Sequence, residues 1–171
     1  TGVELGLGLW IYSLLIESRG VAPEVAGIVT GGYWAMFTVG RIFAGWYAKK
    51  IDVRKLIYLS ISLALFGVAL LLADSSQIIT ILGVTLTGFA IAPIFPGLVS
   101  STTSRVGLRH QANTIGMQMS AASFGIMIVP SLAGVLAKIY GLEVIPLYLL
   151  AVLILMLLVF VCLDLLSKKT S

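Results

Sequence analysis

Charge is what this chain has least of. Of its 171 residues 11% are charged and 59% hydrophobic, whereas an average soluble domain carries about 25% charged residues. A water-facing surface of ordinary polarity is therefore excluded. Histidine and cysteine occur once each, as His110 and Cys162, which excludes an internal disulfide and a zinc cluster. There is no His-Glu-x-x-His, no Walker loop, no Ser/His/Asp set and no pair of intramembrane aspartates, so an enzyme has no recognisable machinery here. A net charge of +4 would hint at nucleic acid in a soluble protein. Here the basic residues lie between apolar stretches, where topology and anionic headgroups account for them, and no nucleic-acid partner is expected. The first apolar run starts at Thr1 without a Met or a basic leader, and reads as the truncated first span of a longer protein.

What is present is a series of six apolar stretches: Thr1–Ile16, Val25–Ala48, Leu56–Ala73, Ile78–Val99, Thr114–Ala137 and Val144–Leu166. Hydrocarbon offers no water to backbone N–H and C=O groups, so such stretches must close their own hydrogen bonds as helices. At 1.5 Å per residue the complete ones reach roughly 27–36 Å, enough for a bilayer core with some tilt. The fold expected is all-α, with six transmembrane helices.

Positive charge gathers in alternate gaps. Lys49, Lys50, Arg54 and Lys55, then Arg105 and Arg109, then Lys168 and Lys169 make eight of the 11 basic residues on one side. Arg19 and Lys138 lie on the other, and Arg41 lies within a span. The positive-inside rule then places both basic loops and the C-terminus in the cytoplasm. Glycine divides the spans differently. Fourteen of 18 glycines fall in spans one, two, four and five, with Gly67 alone in span three and none in span six. Small residues let helices approach closely or leave room for a ligand. Spans three and six, nearly continuous Leu, Ile, Val, Ala and Phe, read as lipid-facing scaffold.

Glu4 is the acidic residue furthest inside a span, roughly 18 Å from the exit at Ile16. A carboxylate there must be protonated, paired or open to a wet cavity. With Gly8 and Tyr12 it forms one helix face of carboxylate, gap and phenol, suited to a ligand rich in hydroxyls; a structural pair between helices is the plainer reading. Thr30, Trp34, Thr38 and Arg41 share a face of span two. Trp34 could stack on a sugar ring or pack between helices, and Arg41 could form a gate or snorkel to the interface. Gln118 is the polar candidate of span five. Pro93, Pro96 and Pro130 should bend spans four and five and act as hinges or as packing features. His110 reads as a solvated loop residue.

The stretch from Gly40 through Lys55 resembles the loop signature of the major facilitator superfamily, Gly-x-x-x-Asp-Arg-x-Gly-Arg-Arg, in its degenerate second-half form. Gly45, Lys50, Arg54 and Lys55 fit it, whereas Lys49 stands where the acidic residue is usual and Asp52 where glycine is usual. Gly2-Val3-Glu4, Tyr33-Trp34 before Gly40-Arg41, Ala92-Pro93-Ile94-Phe95-Pro96, and Gly125 through Pro130 to Gly134 follow in an order similar to the fucose-permease-like branch of sugar:proton symporters. That resemblance implies helices seven to twelve of a twelve-helix transporter, with residues 1–171 as its C-terminal six-helix half and an N-terminal half as partner. It implies a bacterial inner-membrane protein that moves a small polar solute, a sugar above all, with a coupling proton or cation and without a cofactor. It places spans three and six against lipid and spans one and four along the cavity. The branch often has an amide where Glu4 stands, so Glu4 could bind solute or a coupling cation instead of carrying the proton. An exporter of drugs or metabolites and a non-transporting receptor of the same fold remain as alternatives.

Overall fold

The computed structural model describes residues 1–47, 50–73 and 76–169, without the side chains of Tyr47, Ser104, Arg105, Ser167, Lys168 and Lys169. Ala48, Lys49 and Asp74, which the sequence reading put at a span end and in two gaps, lie outside the described residues, as do the side chains of Arg105, Lys168 and Lys169. The described residues form α1 (Gly2–Ser13), a π-helical turn (Leu14–Ser18), α2 (Pro23–Tyr47), α3 (Val53–Ala73), α4 (Gln77–Ile91), α5 (Ile94–Ser100), α6 (Thr102–Val106), α7 (Leu108–Tyr140) and α8 (Val144–Lys169).

Local chemistry sets several of these boundaries. Pro23 opens α2, where its missing N–H is one that no intrahelical bond would have used. The Asp52 carboxylate accepts from the Arg54 N–H at 2.7 Å at the start of α3, and the Ser76 hydroxyl accepts from the Ile79 N–H at 3.3 Å at the start of α4. Gly141 ends α7 at φ 87°, a backbone state that L side chains rarely adopt, with its N–H bonded to the Ala137 carbonyl. Span four breaks at Ala92–Pro93, where proline can neither donate nor tolerate the preceding turn, and resumes as α5.

Among the described residues, four segments are long and apolar enough to cross a membrane: α3, Gln77–Ser100 across the Pro93 break, α7, and α8 to Leu166. The other two of the six expected spans differ in kind. α1 has only 12 α-helical residues before its π turn, and α2, though 25 residues long, is diluted by glycines, Thr30, Thr38 and Arg41. α7 is longer than the expected Thr114–Ala137, because residues 108–113, read as loop, continue the helix and put Arg109 and His110 in its first turn.

α1 and its π turn lie at the centre, with Leu7, Ile11 and Leu14 fully buried, and α1 packs against α7, α2 and α8. α4 packs closely on α3 and α2. At the α3–α4 crossing Gly67 and Gly83 let the backbones meet: a Cβ on Gly83 would lie 2.7 Å from the Gly67 carbonyl oxygen. α8 turns Leu147, Leu155, Leu158, Leu163 and Leu165 outward, as a lipid-facing helix should. α3 does so along one side only, through Leu59 and Phe66, because its other side is buried from Ile57 to Leu71. The helices alternate in direction, since the end of α1, the end of α3, the start of α4 and the α7–α8 turn meet at Arg19, while the start of α3 meets the end of α8 at Arg54 and Asp164.

Candidate functional site

Glu4 is paired. The Arg41 guanidinium of α2 approaches its carboxylate at 3.8 Å, with the carboxylate largely covered and the guanidinium half exposed. This loose ion pair offsets the cost of a largely covered charge on an apolar helix, because each partner balances the other without full desolvation of either. Arg41 also lies over the Phe37 ring, 4.5 Å from its centroid. From Phe37 the contacts run edge-on to Trp34 at 6.0 Å and from Trp34 to Tyr33 at 5.1 Å. The circuit closes where the Tyr33 hydroxyl donates to the Glu4 backbone carbonyl at 2.8 Å. Tyr33 is fully buried, so this bond holds α1 and α2 in register around the ion pair.

The gap expected at Gly8 is not open. Trp34 lies directly over Gly8, so that a side chain there would collide with the indole. Of the two readings of Trp34, the geometry shows the packing one: it fills the notch between helices, next to the ion pair of Glu4 and Arg41. Open space lies on the other side of Glu4. A cavity of about 130 Å³ is lined by Glu4, Gly2 and Gly125 together with Ile91, Phe95 and Met156. It lies among α1, α4, α5, α7 and α8, directly beside the helix break at Pro93.

The remaining candidates are more dispersed. Tyr12 is exposed two turns further along α1. Thr30 and Thr38 return their hydroxyls to their own helix, at the Ala26 and Trp34 carbonyls, a habit that satisfies the group without a ligand. The Gln118 side-chain oxygen accepts from the Thr102 hydroxyl at 3.0 Å, tying α7 to α6 and leaving its amide N–H groups available. Gln118 lies one turn beyond Ala122, whose carbonyl accepts from the Thr1 hydroxyl at 3.2 Å, so it borders the Glu4 region without touching it. Pro130 lies inside the continuous α7, and its carbonyl accepts from the Trp10 indole at 3.0 Å. Pro96 lies in the first turns of α5.

In the loop signature Gly45 has open space around it, Lys50 and Lys55 are exposed, and Asp52 caps α3. Arg54 pairs with Asp164 of α8 at 2.9 Å, against the phenol of Tyr58. Asp164 escaped the sequence reading because it sits near the end of an otherwise apolar span. An acidic residue spaced to meet Arg54 across two helices leaves no periodic trace. The second cluster that was missed gathers at the opposite helix ends, around Glu143 in the turn between α7 and α8. Arg19, only 6% exposed, holds Glu143 through two bonds of 2.9 and 2.8 Å, and donates to Thr80 and to the Leu71 carbonyl at 2.9 Å each. These bonds hold the Glu143 carboxyl below the usual carboxylate range.

The sequence profile of the Major Facilitator Superfamily matches residues 5–171. Curated relatives include Bypass of stop codon protein 6 of Saccharomyces cerevisiae, 24% identical over 85% of this chain and 31% of its own length. Major facilitator superfamily domain-containing protein 4A of Xenopus tropicalis is 24% identical over 77% of the chain and 26% of its own. Glucose/mannose transporter GlcP of Bacillus subtilis is 24% identical over 78% and 32%. The chain thus spans about a third or less of the length of these relatives. No solved structure matches significantly.

Proposed function

The chain belongs to the major facilitator superfamily, and from that premise we propose that it forms the C-terminal six-helix half of a secondary transporter that moves a small polar solute, a sugar in the first instance, by proton- or cation-coupled alternating access. The observation that carries this reading is the Glu4–Arg41 pair, set between spans beside Trp34 and bordering a cavity. A coupling device needs a charge that can be neutralised in one facing state and exposed in the other, because only differential affinity shifts the equilibrium between states. A proton or cation arriving at Glu4 would compete with Arg41 for the carboxylate. The freed guanidinium, already half exposed, would then be available to solute hydroxyls, and Trp34 would offer its indole face. The Pro93 break beside the cavity supplies a place for α4 to bend as this half rocks against its N-terminal partner. A sugar is favoured over a lipophilic drug because one relative at this distance is named as a glucose/mannose transporter and because Glu4, Arg41, Tyr12 and Gln118 offer both donors and acceptors. Placement in a bacterial inner membrane, with the basic loops and C-terminus inside, completes the proposal.

The test uses the intact protein in proteoliposomes. Glu4→Gln should abolish gradient-driven accumulation while retaining solute counterflow, and Trp34→Ala should raise KM for the solute by about tenfold, the loss of one stacking contact. Normal transport by Glu4→Gln, Trp34→Ala and Gln118→Ala alike would show the site to be elsewhere. Counterflow with lipophilic cations but not with sugars would instead identify an exporter.

A further inference from the structure

A second cavity, of about 330 Å³, opens between α2, α3 and the end of α4 at the basic end of the molecule. Its walls are apolar. Phe43, edge-on to Phe89 at 5.9 Å, stands on the α2 side and Leu59 and Leu63 on the α3 side, and among the described residues the one polar side chain lining it is Ser60. With no convergent donors or acceptors, it does not suit a sugar, and an apolar cavity of this kind does not hold water. In a bilayer the matter that reaches such a crevice is lipid.

The rim decides which lipid. Ile51 and Leu56 line the cavity, and their sequence neighbours Lys50 and Lys55 are both exposed. The Lys50 ammonium is steadied over the Trp46 ring, 4.6 Å from its centroid. Of the other described charges here, Arg54 pairs with Asp164, and the Asp52 carboxylate, still negative, accepts from the backbone N–H of Arg54, which leaves this rim net positive through Lys50 and Lys55. Exposed Trp46 and Phe43 mark the depth of the headgroups, where aromatic side chains collect. An apolar slot below two lysines at that depth has the charge complement of an anionic phospholipid. We propose that this crevice holds an acyl chain of an anionic phospholipid whose phosphate is gripped by Lys50 and Lys55.

The proposal requires only that the chain lies in a membrane, so it can fail or succeed independently of the transport reading. The experiment measures lipid retained by the purified intact protein at low ionic strength, by native mass spectrometry and by exchange into nanodiscs. The probes are phosphatidylglycerol, phosphatidylcholine of the same chains, and glycerol phosphate. Phosphatidylglycerol should be retained in preference to phosphatidylcholine. Lys50→Gln with Lys55→Gln should weaken that retention roughly tenfold or more, since each lysine near an anionic surface contributes about a fivefold gain. Ser60→Leu, which fills the slot, should release the lipid while leaving the lysines in place. The double lysine variant changes exposed residues only, so it remains informative even where Ser60→Leu does not fold. Equal retention of both phospholipids, full retention by the double variant, or displacement by glycerol phosphate alone would each overturn the proposal; the last would indicate a free-anion site.

Discussion

At the scale of single residues, the neighbourhood of Glu4 is held by two contacts of very different strength. The Arg41 ion pair is long, at 3.8 Å, and half of the guanidinium is exposed, so screening reduces its worth to about 1 kcal/mol. The contact of Trp34 with Gly8 is close packing, and overfilling a packed site costs about 1–3 kcal/mol. Gly8→Leu should therefore destabilise the protein more than Arg41→Gln does, measured by thermal unfolding in detergent. Arg41→Gln should nevertheless damage coupling more, since it removes the competitor for the carboxylate. The reverse order in both assays would mean that the ion pair is structural and the notch is not. The sequence made Glu4, Arg41 and Trp34 legible as candidates because charge and indole are rare among apolar residues. It could not show that Trp34 fills the space left by Gly8. That depends on how two helices are rotated about their axes, and glycine looks the same in a sequence whether it leaves a gap or admits a neighbour.

At the scale of elements, glycine again separates two cases. Gly67 sits where α3 crosses α4, and a Cβ there would collide with the Thr87 hydroxyl and lie 2.9 Å from the Thr87 backbone nitrogen and 3.1 Å from the Gly83 carbonyl oxygen, backbone atoms that cannot rotate away. Gly45 has open space around it. Gly67→Ala should cost about 1–3 kcal/mol, whereas Gly45→Ala should be neutral or add about 0.5–1 kcal/mol through lower chain entropy. Denaturant unfolding of the two variants side by side checks this. Helix associations in lipid depend on such close approach, because apolar side chains gain little by leaving one hydrocarbon for another. Proline and the apolar lengths announced the break at Pro93 and most helix limits. The π turn at Leu14–Ser18 and the early start of α7 were not announced, because Arg109 and His110 carry the polarity of a loop whether or not the backbone coils. Span three was read as scaffold for its leucines, yet its single glycine marks the face by which it is held.

At the scale of the whole molecule, two charged clasps join helices that are distant in sequence, and they differ in what they can sense. Arg54–Asp164 closes the basic end. Arg19 closes the other end, drawing in α1, α3, α4 and the turn before α8 from a nearly buried position. Neither was legible, since Arg19, Thr80 and Glu143 lie in three separate segments whose adjacency only the fold creates. Removing Arg19 leaves Thr80 and the Leu71 carbonyl without this donor, so Arg19→Ala should cost about 2–3 kcal/mol. Glu143→Gln, whose site is half exposed, should cost about 1 kcal/mol. The Glu143 contribution is also acid-sensitive. Its carboxyl is held below the ordinary value of 4.5, first by the hydrogen bond from Arg19. Unfolded, it would bind a proton more readily, so the stabilisation is complete above that ordinary value and is lost as pH falls through the lower folded one. The stability gap between the native protein and Glu143→Gln should hold steady from about pH 7 to about pH 5 and close below it. A gap already closed at neutral pH would show that packing holds the four elements and the clasp adds nothing of its own, whereas a gap that persists into strong acid would show that the carboxylate charge is not what stabilises them.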